Sequence, residues 1–218
     1  MVITAAQLFE LVPGSPGIAA FTELFPEGLD VSDWTPEKQI GWLMHPELRK
    51  YWGWAVAWLG LPCHTMHGWD LRGVDLSNAG LAQMDLTGAN LTGANLTGAN
   101  LTDANLTWTC LFQANLEGAY LRGADLFRAN FREARLTAAD LREALLVCAT
   151  LDGADLREAD LTGARLIEAS LIPENLEGAN LTGANLEWAI LAGANLTRVN
   201  FTGAALTNAL LSKGWNPG

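Results

Sequence analysis

The chain has 218 residues, half of them hydrophobic, and 24 acidic side chains against 13 basic ones, for a net charge of −11. That length holds one large domain or two small ones with a sizeable core. The acidic balance argues against direct nucleic-acid binding, which needs basic surface to displace counterions, and suits a partner that carries positive charge.

The opening stretch, "MVITAAQLFELV", has no basic n-region and no cleavage pattern, so no secretion signal is expected. Thr4 to Gln7 has the spacing of a capping box and predicts a short helix to about Val12. "PGSP", Pro13 to Pro16, breaks it, and "GIAAFTELF" predicts a second helix ending at Pro26. Thr35 followed by Pro36 reads as an N-cap with proline at the first helical position. Pro46 opens a fourth helix, "PELRKYWGWAVAWLG", which Gly60 closes. On this helix Leu48, Trp52, Ala55 and Leu59 share one stripe while Trp54 and Trp58 lie off it, so it must be covered on more than one side. Its apolar run is too short to span a bilayer, and no membrane association is expected.

Cys63, His64 and His67 in "CHTMH" are of metal-ligating type, but no second ligand set follows at zinc-finger spacing. Linker residues are the expectation, with no metal and no cofactor. Three cysteines without a framework suit a reducing compartment, and a cytoplasmic protein is expected.

From Leu71 to Leu211 every fifth residue is leucine or phenylalanine: 29 positions, of which 27 are Leu and two are Phe131 and Phe201. Two residues before each lies a small position, alanine in 23 of the 29. The repeat reads A-(N/D)-L-x-x, often with Thr-Gly as the last pair. On an α-helix a five-residue step advances about 140° net and scatters the leucines. On a straight strand an odd step alternates faces. Alanine and leucine two apart do share one face of a short extended segment. The next leucine reaches the same interior only if the chain turns a corner, which Thr-Gly supplies. Repeated corners in one sense make a coil, and stacked coils make a solenoid.

These residues resemble the pentapeptide repeat family over roughly the last two thirds of the chain. The resemblance implies an all-β, right-handed quadrilateral β-helix of four pentapeptides per coil. Twenty-nine repeats then make about seven coils and a rod about 35 Å long at about 4.8 Å per coil. The expected organisation is a helical, Trp-rich cap over residues 1–65, the solenoid over 66–212 and a tail over 213–218. Trp52, Trp54, Trp58 and Trp69 are the candidate contacts between cap and first coils, because a solenoid end left uncapped exposes core and strand edges.

No catalytic constellation is legible. No serine sits in a nucleophile elbow, Cys110 and Cys148 have no histidine near them in sequence, and the glycines belong to corners rather than to a phosphate loop. A non-enzymatic binding protein is expected. The family resemblance implies one specific mechanism: mimicry of B-form DNA, binding to DNA gyrase or topoisomerase IV, and protection from poisons such as quinolones. The charge count fits this poorly, since residues 66–218 carry 17 acidic and 10 basic groups, net −7. DNA of that length carries roughly 20 negative charges. The alternatives are an interaction scaffold for another protein and a structural spacer.

Outward side chains should recur in columns every 20 residues. Trp108, Arg128, Cys148, Glu168 and Trp188 share one column, Cys110 and Ile190 a second, and Phe112 and Ile172 a third. Trp108, Phe112, Ile172, Trp188 and Ile190 form the candidate interaction edge, for a partner or for a second copy. Leu210, Leu211 and Trp215 are the candidate C-terminal cap or dimer seam, the family resemblance implying tail-to-tail dimers. Cys110 and Cys148, about two coils apart, are not expected to form a disulfide. Glu174, at an inward position after Pro173, is expected to swing outward in a local bulge while Leu176 stays inside.

Overall fold

A computed structural model of the chain describes residues 66–172 and 175–212, together with β1 (Val2–Ile3), β2 (Leu29–Asp30) and Glu27. β1 and β2 pair antiparallel, with Val2 opposite Asp30 and Ile3 opposite Leu29. The four N-terminal helices expected from the sequence lie outside the described residues, as do Trp52, Trp54, Trp58, Cys63, His64, Pro173, Glu174 and Trp215.

From residue 66 onward the chain winds into a four-sided β-helix. Each residue before a leucine bridges in parallel to the residue 20 later, from Asp70 with Asn90 through to Ile190 with Leu210. One coil therefore consumes four pentapeptides, without slippage.

The corner follows from the backbone. The amide of Ala94 donates to the carbonyl of Leu91 at 3.0 Å, closing a four-residue turn. Its third residue, Gly93, has φ +65°. That combination is a type II turn, whose third position favours glycine. Fifteen such corners nonetheless carry another residue at positive φ, among them Trp108, Arg128, Cys148 and Trp188. Glycine is therefore common here but not required; the inter-coil ladder holds the other side chains in place.

Where Asn or Asp precedes the leucine, as around Leu91, all five amides of the repeat find a partner. In the repeat around Leu91, Leu91 and Gly93 donate to Cys110 and Phe112 of the next coil, at 2.7 and 2.8 Å. Asn90 donates back to Trp69 at 2.8 Å, and the inward alanine closes the turn. The fifth amide, Thr92, donates to the side-chain oxygen of Asn90 at 3.1 Å. This last bond explains why Asn or Asp so often precedes the leucine: a short side-chain acceptor satisfies an amide that the ladder cannot reach. The same side chains also link coils, as where Asn95 donates to Asp75 at 3.0 Å.

Inside, the leucines and alanines from Met66 to Leu191 are buried, with Phe131 taking one leucine place. Trp69 and Val74 pack against this core from partly buried positions. The last coil differs: Leu196, Phe201, Leu206 and Leu211 are only partly buried.

Candidate protein-interaction face

The four sides of the rod differ in what they carry. Most are covered by Asn, Asp, Thr and arginine–carboxylate pairs. Arg142 chelates Asp140 through Nε and a terminal nitrogen at 2.7 and 2.6 Å, and Arg157 holds Asp155 in the same way. The guanidinium hydrogen bonds keep both carboxyls below the ordinary aspartate range. Asp85 is lowered chiefly by the Thr87 hydroxyl. Between coils, Arg122 meets Glu143, Arg135 meets Glu117 and Arg198 meets Glu177, at 2.9, 2.9 and 3.0 Å.

One side is different. On the face centred on Leu106, Leu126, Leu146, Leu166 and Leu186, the position after each leucine stacks Phe127, Val147 and Ile167 in successive coils. Leu145 lies beside them in the column preceding the leucines. All four are half-buried. Along the adjoining corner stand Trp108 and Trp188, each 55% exposed. Trp108 stands edge-on to Phe127, with centroids 6.2 Å apart and planes at 85°. The Arg128 guanidinium lies 4.7 Å from the Trp108 ring centroid and 5.3 Å from that of Phe127. Large apolar side chains clustered on a surface mark contact sites.

The sequence-predicted edge is thus partly assembled. Trp108 and Trp188 are exposed where the column rule puts them. The ring that meets Trp108, however, is Phe127 and not Phe112. Phe112, Ile172 and Ile190 are half-buried on the next side around the corner. The Phe127–Val147–Ile167 stripe escaped the sequence reading, although stepping 20 residues from Val147 finds it. Cys110 and Cys148 are free thiols. Cys148 donates to Glu168 at 3.6 Å, while Cys110 lies 3.3 Å from the Thr92 hydroxyl.

At the C-terminal end, Leu210 is 59% exposed and Leu211 packs partly against the core. A shallow depression of about 320 Å³ there is lined by Ala194, Leu196, Thr197 and Ser212. His67 is exposed, and among the described residues no group of three or more His, Cys, Asp or Glu could hold a metal. Among them, too, no helix is long and apolar enough to cross a membrane.

The family description "Pentapeptide repeats" matches this chain in eight copies, over residues 70–111, 104–142, 134–171 and 175–213. Among solved structures, the chain is similar to HetL, a pentapeptide repeat protein involved in heterocyst differentiation regulation in the cyanobacterium Nostoc sp. strain PCC 7120. Identity is 37%, covering 70% of this chain and 78% of that one, with a TM-score of 0.45. It is also similar to QnrB1, a plasmid-mediated fluoroquinolone resistance protein, at 19% identity, over 67% of this chain and 79% of that one, with a TM-score of 0.53. No curated protein matches. With the period of five, the 20-residue coil and the family match in agreement, the chain belongs to the pentapeptide repeat family, whose fold is the right-handed quadrilateral β-helix.

Proposed function

We propose that this chain is a non-enzymatic solenoid that works by binding a protein along its outer faces, and that a type II topoisomerase is the first partner to test. The observation that carries the binding reading is the filled interior. Leucine and alanine occupy the rod from Met66 to Leu191, which leaves the outer surface as the working part. Supporting the specific partner are the fold shared with a fluoroquinolone resistance protein, the net negative charge and a length of about one duplex turn.

The distribution of charge favours a general protein contact over close imitation of DNA. The face bearing Asp85, Asp125, Glu168 and Glu187 also bears Arg128 and Arg165, and so carries a net charge of only −2. The other faces are similarly offset by their arginines. No face presents the unbroken anionic ladder of a phosphate backbone.

The experiment is a pull-down with purified DNA gyrase and a supercoiling assay with and without a quinolone. Binding with protection or inhibition at about 1–10 µM supports the topoisomerase partner. Absence of both leaves a protein-binding solenoid with another partner.

A further inference from the structure

We propose that the Phe127–Val147–Ile167 face binds a second copy of this chain, side by side and antiparallel. Two rods placed face to face can be related by a two-fold axis that lies in the contact plane between them, perpendicular to their long axes. Such an axis reverses direction along the rod but leaves each column facing its own counterpart. Placed at the level of Leu145, Val147 and Cys148, it sets residues one coil above against residues one coil below.

The columns are self-complementary under that operation. The corner column runs Trp108, Arg128, Cys148, Glu168, Trp188. Reversed against itself, it sets tryptophan on tryptophan, Arg128 on Glu168 of the second copy, and Cys148 on Cys148. The column before the leucines runs Asp125, Leu145, Arg165. It sets Asp125 on Arg165 and Leu145 on Leu145. The middle column sets Phe127 on Ile167 and Val147 on itself. The dimer therefore holds four ion pairs between the copies, two kinds each repeated by the two-fold axis, around an apolar centre, with tryptophans closing both ends.

A second observation points the same way. Six arginines of the rod, Arg72, Arg122, Arg135, Arg142, Arg157 and Arg198, are ion-paired within the chain. Among the described residues the two arginines of this face, Arg128 and Arg165, have no carboxylate partner, and neither do Asp125 and Glu168 have a cationic one. Arg128 and Glu168 stand two coils apart, about 9.6 Å, and the Arg128 guanidinium lies against the Trp108 and Phe127 rings rather than toward Glu168. The face holds both signs of charge in the pattern an inverted copy satisfies, so charge complementarity selects that copy over a partner of single sign. The inference is independent of which protein the solenoid serves.

The test is sedimentation equilibrium on the full chain at about 1–100 µM, the range expected of a small interface. Wild type should show a monomer–dimer equilibrium. Arg128→Glu or Glu168→Arg alone sets like charges together and should weaken dimerisation about tenfold. The exchange variant carrying both substitutions should recover to within about threefold, because each pair is restored with its signs swapped. A short bis-maleimide should join two chains through Cys148, and Cys148→Ser but not Cys110→Ser should abolish the product. Circular dichroism of every variant controls for folding. A monomer throughout, or a dimer indifferent to both single charge reversals, overturns the proposal; the latter is what an end-on dimer through the last coil gives.

Discussion

The Thr109 hydroxyl donates to the backbone carbonyl of Leu86 at 2.8 Å, linking its corner to the same corner of the preceding coil. Among the described residues it is the one buried polar side chain in a core of leucine and alanine. Thr109→Val keeps the shape and removes the donor. It should cost about 1 kcal/mol, the net value of one such bond, because the Leu86 carbonyl still accepts from Ala89. Urea unfolding measures it; a loss above about 3 kcal/mol would mean the carbonyl is left without an adequate partner.

Trp108 and Trp188 occupy the same turn position, each with φ +61°. A left-handed backbone costs a side-chain-bearing residue about 1–2 kcal/mol. Trp188→Gly should therefore be neutral or stabilising by about 1 kcal/mol at dilute protein. Trp108→Gly removes the contacts with Phe127 and Arg128 as well, and should be destabilising by about 1 kcal/mol. Equal thermal shifts for the two would show that the Trp108 cluster contributes nothing to the monomer.

Asp140 and Asp155 are held below their ordinary pKa by hydrogen bonds from Arg142 and Arg157. A carboxyl lowered on folding stabilises the fold above the unfolded pKa of about 3.9, and loses that contribution as pH falls through the folded value. Stability should thus fall below about pH 5. Asp140→Asn retains a side-chain acceptor for the Arg142 amide, costs about 1 kcal/mol or less at pH 7, and flattens the acid limb. An unchanged melting-temperature profile from pH 2 to about pH 7 would contradict the assignment.

At 28 described corners the third turn residue has positive φ. Pro173 stands at that place in its own repeat, and proline is confined near −65°. The flanking ladder is thinned. Among the described residues no backbone bond joins Gly153 to Ile172 or Asn175 to Ala154, and the Leu176 amide reaches Asn195 at 3.2 Å. Pro173→Gly should restore the standard corner and stabilise by about 1 kcal/mol, read as a higher melting temperature and slower amide exchange at Gly153. Destabilisation would show that the interruption is itself supported by packing. The outward swing expected for Glu174 lies outside the described residues.

Met66, Leu71, Leu76 and Leu81 are buried in the first described coil, while the matching side chains of the last coil are only partly buried. We infer that the chain before residue 66 closes the first end. Deleting residues 1–65 should lower the melting temperature by about 5 °C or more and promote association through the freed edge. A deletion variant that melts and stays soluble like the full chain would assign those residues another role.

The inward half of this protein was legible because its period is unbroken. Once five-residue spacing excludes helix and strand, leucine and alanine can face only one interior. The outer half was less so. Asn90 and its equivalents read as water-facing, yet they also accept backbone amides, and that role appears only when every amide is traced to a partner. Phe127, Val147 and Ile167 are separated by 20 residues and diluted by polar neighbours, so no local window shows them as a stripe. The ring that Trp108 meets, Phe127, belongs to the following coil and was not among the residues of the expected edge. The Trp108 side chain leans toward that coil, a direction spacing alone does not reveal.

The strict 20-residue coil makes length and direction inseparable in this molecule. Removing one pentapeptide would leave every leucine inside, yet would rotate the whole surface beyond the cut by a quarter turn. Removing four would shorten the rod by about 4.8 Å and preserve every bearing. Changes in steps of five thus re-aim one half of the rod against the other, while changes in steps of twenty act only as a ruler. A partner touching both ends would be sensitive to the first kind of change and tolerant of the second.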